Sequence, residues 1–323
     1  MPRLLVVVPN WIGDALLAQP LLARLHEKHP GVRIDALAPA WVAPVVRRMP
    51  EIAEVIETTF RHGALELRER WRLGRSLRSR GYDQAIVLPN SWKSALVPFF
   101  ADIPIRSGYI GESRFGLLNL PYRKPKGRGP MALHYAKLSE KPGKAPAEPL
   151  PQTRLRVDLK SSEATAARFG LEGRYAAFCP GAEYGAAKRW PGFAELADRV
   201  GLPVVLLGSA KDADACAGIG AKNLAGRTTL DEAIELIACA DCVVTNDSGL
   251  MHVAAAVGTP LVALFGSSSP EYTPPLTARA RVVWLGIECS PCFARECPLG
   301  HLRCLREISA DRVLKELQNL GSE

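Results

Sequence analysis

Short apolar runs alternate with amphipathic segments along this chain, and that alternation restricts its fold more than any other feature. Residues 4–8 (LLVVV) are apolar without interruption, as a strand covered on both faces requires. A loop follows, and residues 15–28 then place Leu16, Leu22 and Leu25 at helical spacing, which predicts one amphipathic helix. Residues 32–38 and 84–88 read as further strands, the latter preceded by an arginine-rich helical segment. Strands alternating with helices imply right-handed βαβ units and a parallel sheet.

The theme stops at residues 140–152 (EKPGKAPAEPLPQ), which are rich in Pro, Lys and Ala, lack an apolar period, and read as a linker. It then starts again. Strands are predicted at 175–179, 203–207, 242–245 and 261–265. Helices are predicted at 191–200 with Pro191 in the first position, from the Thr229/Glu232 capping box through 240, at 250–257 ended by Gly258, and at 310–320 capped by Ser309. No sequence repeat links the halves. The 323 residues therefore suit two domains of an α/β class. These are residues 1–150 and 151–323, two Rossmann-like doubly wound units facing a cleft, with the terminal helix free to pack back on the first.

Composition excludes several classes. No apolar run approaches the roughly 20 residues of a membrane span. The N-terminal run is too short for a signal peptide and is broken at once by Pro-Asn-Trp, so the chain is expected to stay in the cytoplasm. The net charge of +8 is uneven: residues 61–80 carry seven arginines against two glutamates, and Arg123, Lys124, Lys126 and Arg128 follow. Such clusters suit phosphate-rich partners, although a solvated helix face is the ordinary use of a charge run. Nucleic acid is not expected, because no recognition helix, RNP-type motif or zinc-finger spacing is present.

Doubly wound sheets bind ligands at the carboxyl ends of their strands, and three polar loops fall there. The first is Pro9-Asn10-Trp11-Ile12-Gly13-Asp14. Asp14 lies in the opening turn of a helix, where an acid also serves simply to stabilise the helix dipole. The absence of G-x-G-x-x-G in this loop argues against a dinucleotide oxidoreductase. The second loop runs from Cys179 to Pro191 and places Lys188 and Arg189 just before a helix start, sensible if an anion such as a pyrophosphate sits between. In the third, Asp247, Ser248 and Gly249 lead from a strand into a helix that carries His252. Its first N–H groups are able to meet a phosphate, or Asp247 and Ser248 are an ordinary cap over a core histidine. Asp212-Ala213-Asp214 matches a short metal-binding pattern but falls where a helix cap is expected. His26, His29 and His62 have no partners at ligand spacing.

Seven segments together carry a family resemblance: PNWIGDALLAQPLL, LAPAW, LPNSWKSALVPFF, FCPGAEYGAAKRWP, LLGSAKD, NLAGRTTLDEAIELIA and TNDSGLMHVAAA. Spanning residues 9 to about 275, they resemble the inverting ADP-heptose heptosyltransferases of Gram-negative bacteria. The resemblance implies a GT-B fold, with the acceptor on the first domain and the nucleotide sugar on the second. It implies transfer of L-glycero-D-manno-heptose from ADP-heptose to the first heptose of the lipopolysaccharide inner core, with inversion and with no cofactor or metal. The acceptor is then heptosyl-Kdo2-lipid A, met at the inner face of the inner membrane. The wording AEYGAAKRWP and TNDSGLMH favours this branch over transfer to unheptosylated Kdo2-lipid A by a heptosyltransferase I-type enzyme.

The resemblance also distributes the roles. Asp14 is the catalytic base and Lys188 the phosphate-holding cation. Asn10, Gly13, Thr228, Asp247, Ser248, Gly249 and His252 are substrate contacts. Rivals are a nucleotide-sugar epimerase of similar architecture and a binding protein that kept the fold. One segment departs from the family pattern: Cys289, Cys292, Cys297 and Cys304, with His301 among them, are close enough for a metal site but lack paired C-x-x-C spacing. Reduced thiols are the default there. Cys179, Cys216, Cys239 and Cys242 read as small core residues.

Overall fold

The computed structural model describes residues 1–61, 63–124 and 127–320; His62 and Lys126 lie outside it. Contacts divide the chain into two compact units, Met1–Pro151 and Gln152–Glu323. In the first, β1 (Arg3–Val7), β2 (Arg33–Pro39), β3 (Glu54–Thr58), β4 (Gln84–Val87), β5 (Ile105–Tyr109) and β6 (Leu120–Tyr122) form one sheet in the order β3-β2-β1-β4-β5-β6. In the second, β7 (Ala176–Cys179), β8 (Val204–Leu206), β9 (Lys222–Asn223), β10 (Cys242–Asn246), β11 (Leu261–Phe265) and β12 (Ala280–Trp284) are ordered β12-β11-β10-β7-β8-β9. All strand pairs are parallel. Counted within its own unit, each sheet has the doubly wound order 3-2-1-4-5-6. The two halves thus repeat one topology that no sequence repeat announces.

The apolar runs become strands because both sheet faces are covered. Leu5 and Val7 of β1 pack with Leu37, Ala85, Val87 and Leu77, while the alternate residues Leu4 and Val6 are buried too. Burial of both parities leaves no solvated face, so helices must lie on each side. In the second unit all five residues of β11 are buried, and Phe178 and Leu206 join Trp190, Phe193 and Val313 in the core.

Two local readings are corrected by the structure. The single helix expected over 15–28 is two, Ile12–Leu17 and Gln19–Lys28. Pro20 sits in the first turn of the second, where its missing N–H removes no helical bond; within a continuous helix it would have. Pro191 does not open its helix, which is the shorter Phe193–Ala197 capped from Gly192. The terminal helix Ala310–Asn319 closes the second unit: it packs on Phe193–Ala197, β11 and β12 and buries Ala310 and Val313 there. Its Ser309 cap, the Thr229/Glu232 capping box and the stop at Gly258 stand as the sequence indicates.

The arginine-rich helix Leu67–Leu77 packs on the helix Leu96–Phe100 through Gly74, where an added Cβ would come 2.5 Å from the Phe100 Cβ. Replacing a mid-helix glycine by alanine gains about 0.5–1 kcal/mol of backbone entropy, but overpacking costs about 1–3 kcal/mol. Gly74→Ala is therefore expected to unfold at lower urea than the native chain. A raised midpoint would show that this helix pair has room to separate.

Candidate active site

At a switch point adjacent parallel strands send their crossovers in opposite directions, leaving a gap at their carboxyl ends. In the first unit the switch lies between β1 and β4. The loop after β1 carries Asn10 and Trp11, and the helix Ile12–Leu17 begins at once, with Gly13 and Asp14 in its first turn. Asn10 is exposed and Asp14 half-buried. The Asn10 carbonyl accepts a 2.9 Å bond from Trp41 Nε1, which fixes the loop after β2 against the loop after β1. Trp11, Trp41 and Trp92 all stay exposed on loops that follow β1, β2 and β4. The sequence reading passed over these indoles individually. Three large aromatic groups left in solvent beside one carboxyl edge are the signal that could have found them.

In the second unit the switch lies between β7 and β10, and the residues expected from the sequence gather there. Lys188 ends a short helical turn, Ala186–Lys188, after β7. Its Nζ makes an ion pair with Asp247 Oδ2, at the end of β10, and both side chains are largely buried. Asp247 Oδ1 also accepts from Thr273 Oγ1 at 3.5 Å. Asp247 thus orients the lysine, while an ammonium has three donors and this contact uses one. Ser248 is the N-cap of the helix Gly249–Val257 but its side chain does not cap it; Ser248 Oγ lies 3.3 Å from Thr245 Oγ1 instead. The opening N–H groups of that helix are consequently not satisfied by their own cap, the condition under which a helix start receives an anion.

His252, one turn in, is buried and lies within electrostatic reach of Asp247 and Lys188. Burial pushes its pKa down to about 4, with the Asp247 carboxylate opposing the shift and Lys188 adding to it. It is a neutral imidazole at physiological pH. Thr228 stands apart from this group, half-buried on the loop after β9, immediately before the cap of the helix Leu230–Cys239.

Two supports of the lysine loop escaped the sequence reading. Asn246, fully buried, donates from Nδ2 to the Pro180 carbonyl at 2.7 Å and accepts from Trp190 N at 3.1 Å. One side chain from β10 therefore holds both ends of the loop that follows β7. Tyr184 is the second: its ring lies 4.9 Å from Lys188 Nζ and 5.2 Å from Arg295 Cζ, and its hydroxyl donates to the Phe293 carbonyl at 2.7 Å. Gly185 is required beside it, since a Cβ there would stand 2.3 Å from the Arg295 carbonyl oxygen.

The cysteine-rich segment is thus a brace beneath this loop. Ala187 N donates to the Arg295 carbonyl at 3.0 Å. Cys289, Cys292, Cys297, Cys304 and His301 line a cavity of about 20 Å³ together with Ala187. The four are thiols; the Leu302 N–H, donating to Cys297 Sγ at 3.4 Å, holds that thiol below its ordinary range. Among the described residues no three His, Cys, Asp or Glu side chains are placed to hold a metal ion. Asp212 completes a capping box with Ser209, its Oδ2 accepting from Ser209 N at 2.9 Å. Cys179 and Cys216 are core residues, while Cys239 and Cys242 are only partly covered.

Two doubly wound domains in one chain, with an ion-paired lysine at an open helix start, form a glycosyltransferase of the GT-B fold class. The chain belongs to glycosyltransferase family 9 (heptosyltransferase), whose model matches residues 70–303. It is 45% identical to lipopolysaccharide heptosyltransferase 2 of Salmonella typhimurium over 99% of each chain. It also resembles the solved structure of Escherichia coli ADP-heptose LPS heptosyltransferase II, at 43% identity and a TM-score of 0.88 over 98% of each chain. Lipopolysaccharide heptosyltransferase 1 of Pseudomonas aeruginosa is more distant, 26% identical over 91% of this chain and 87% of its own, so the heptosyltransferase I alternative is not favoured.

The depressed His252 pKa sets a pH dependence. A folded value below the ordinary 6.5 means that the unfolded chain takes up the proton first. Stability is then complete above about pH 6.5 and is lost as pH falls toward about 4. His134 of the first unit, stacked on Tyr109 at 3.9 Å and likewise held at about 4 by burial, adds to the same window. Urea midpoints at about pH 7 and about pH 5 should therefore fall less in His252→Gln than in the native chain. Equal losses would show that His252 does not contribute to this dependence.

Proposed function

We propose that the chain transfers L-glycero-D-manno-heptose from ADP-heptose to the first heptose of heptosyl-Kdo2-lipid A, with inversion and without a metal or other cofactor. It works in the cytoplasm, peripherally at the inner face of the inner membrane. The observation that carries the chemistry is the buried Lys188–Asp247 pair at the start of Gly249–Val257, where a helix start left open by its own cap faces a held cation. A leaving diphosphate gains negative charge as the glycosidic bond breaks, and preorganised donors stabilise that charge. Ser248 and Gly249 supply backbone N–H groups, neutral His252 supports the turn, and Thr228 contacts the adenosine side. The acceptor belongs to the first unit. Asp14 takes the proton of its attacking hydroxyl, Asn10 and Gly13 shape the turn, and the anomeric carbon is displaced in line, which inverts it.

The direct test is ADP release from ADP-heptose with two acceptors. Monoheptosylated Kdo2-lipid A should turn over and unheptosylated Kdo2-lipid A should not; the opposite preference would reject the reading. On the working acceptor, Asp14→Asn should lower kcat by about 10²–10⁴-fold with ADP affinity retained. A native rate would remove Asp14 as the base.

Lys188→Ala is a different loss. Charge on the leaving oxygens is larger in the transition state than in bound ADP-heptose, so the lysine contributes more there. The barrier should rise by about 2–4 kcal/mol, and ADP binding by titration calorimetry should weaken as well. Normal binding together with normal turnover would place the phosphate site elsewhere.

A further inference from the structure

The arginine-rich segment of the first unit carries more charge than its own fold uses. Of the seven arginines in residues 61–80, four are engaged. Arg61 Nε pairs with Glu66 Oε1 at 3.0 Å, and Arg80 Nη1 with Glu54 Oε1 at 2.7 Å. Arg70 is buried over the Phe60 ring and donates to the Leu65 carbonyl at 2.7 Å; Arg78 donates to the Phe100 carbonyl at 2.9 Å. Arg68, Arg72 and Arg75 remain, all exposed, and none is in a salt bridge among the described residues. On the helix Leu67–Leu77 they are spaced i, i+4 and i+7 and therefore share one face. The opposite face, with Arg70, Gly74 and Leu77, is buried. The helix's one acid, Glu69, lies a residue off the row.

A solvated arginine face needs no aromatic group, yet this one has one along its flank. Trp71 lies between Arg68 and Arg72 and is 46% exposed, with the Arg75 guanidinium 5.5 Å from its ring. Leu67, one turn earlier, is 48% exposed. On the neighbouring helix Leu96–Phe100, Phe99 is exposed as well; the Arg106 guanidinium 5.5 Å from its ring is held by the Leu117 and Ile103 carbonyls. Indole is amphipathic and favours the boundary between water and acyl chains. Guanidinium groups favour lipid phosphates, with bidentate geometry.

We propose that the outward face of Leu67–Leu77, presenting Arg68, Trp71, Arg72 and Arg75, docks the first unit on an anionic phospholipid bilayer. The guanidiniums meet headgroup phosphates and Trp71 enters the headgroup layer. This deepens the proposed function, resting on its membrane-anchored acceptor, and it names the docking surface. The absence of a spanning helix among the described residues is compatible with a surface contact of this kind.

Sedimentation of the full chain with phosphatidylglycerol vesicles and with phosphatidylcholine vesicles tests it. Binding to the anionic vesicles and not the neutral ones is expected, weakening as salt is raised. Each guanidinium near an anionic surface is worth about fivefold in partition, so the triple variant Arg68→Gln, Arg72→Gln, Arg75→Gln should lose about 100-fold. Trp71→Ala should lose severalfold and should remove quenching of tryptophan fluorescence by brominated lipid. Glutamine preserves helix propensity, and an unchanged circular dichroism spectrum confirms the fold. Native binding by either variant would overturn the proposal, as would equal binding to both vesicle types. Retention of duplex RNA in place of anionic vesicles would also overturn it and assign the face to nucleic acid. Turnover of a delipidated, monoheptosylated core oligosaccharide should be the same in the triple variant and the native chain. If the native chain does not turn over that acceptor, the proposed reaction fails while the vesicle result still stands on its own.

Discussion

A parallel sheet whose crossovers leave its two central strands in opposite directions leaves a gap at their carboxyl ends, and this chain builds that gap twice. The gap is a consequence of winding and not of any one side chain. What differs between the copies is the polarity set beside it. The first unit places a carboxylate, Asp14, in the opening turn of the helix after β1, among exposed indoles. The second places a cation, Lys188, next to a helix start. The proposed transfer, which removes a proton from one partner and leaves negative charge on the other, would use these opposite polarities.

Holding Lys188 there has a cost, and the local structure is organised around it. A largely desolvated ammonium beside a helix N-terminus meets like charge, so it needs a carboxylate with good geometry. Asp247 is that carboxylate, and it comes from the strand on the other side of the switch point. Asn246, the residue before it, ties both ends of the lysine loop to the same strand. Tyr184, within the loop, and the cysteine-rich segment brace it. In that segment Cys289, Cys292, Cys297, Cys304 and His301 line a small cavity together with Ala187.

Seven of the twelve described strands were legible, because a strand buried on both faces needs an unbroken apolar run and little else; β3, β5, β6, β9 and β12 are short or mix in polar residues and went unread. The same tolerance explains why the repeated topology was invisible: LLVVV in β1 and AAFC in β7 meet the same demand with unrelated residues. Caps such as Ser309 and the Thr229/Glu232 box were legible because their bonds are local, within four residues. The Pro20 break was misread because apolar periodicity continues across it, and Pro191 because its loop is tied to Asn246 through Trp190 before any helix begins. Lys188 and Asp247 could each be marked from their loops. Their pairing could not, since 59 residues separate them and only the β7–β10 neighbour relation brings them together.

Burial, and not residue type, decides what each tryptophan does. Trp190 is covered, gives its Nε1–H to the Ile308 carbonyl at 2.9 Å and packs edge-on against Phe193, so both its area and its donor are used inside the fold. Trp71 has the same chemistry and neither use: its ring lies in solvent under an arginine. Seven arginines in twenty residues look uniform in sequence, yet the fold consumes four of them in pairs and carbonyl contacts. The three left over align on the helix face that carries the exposed indole. Charge that a fold does not neutralise and apolar area that it does not bury are both free to act on a partner, and here they coincide on one surface.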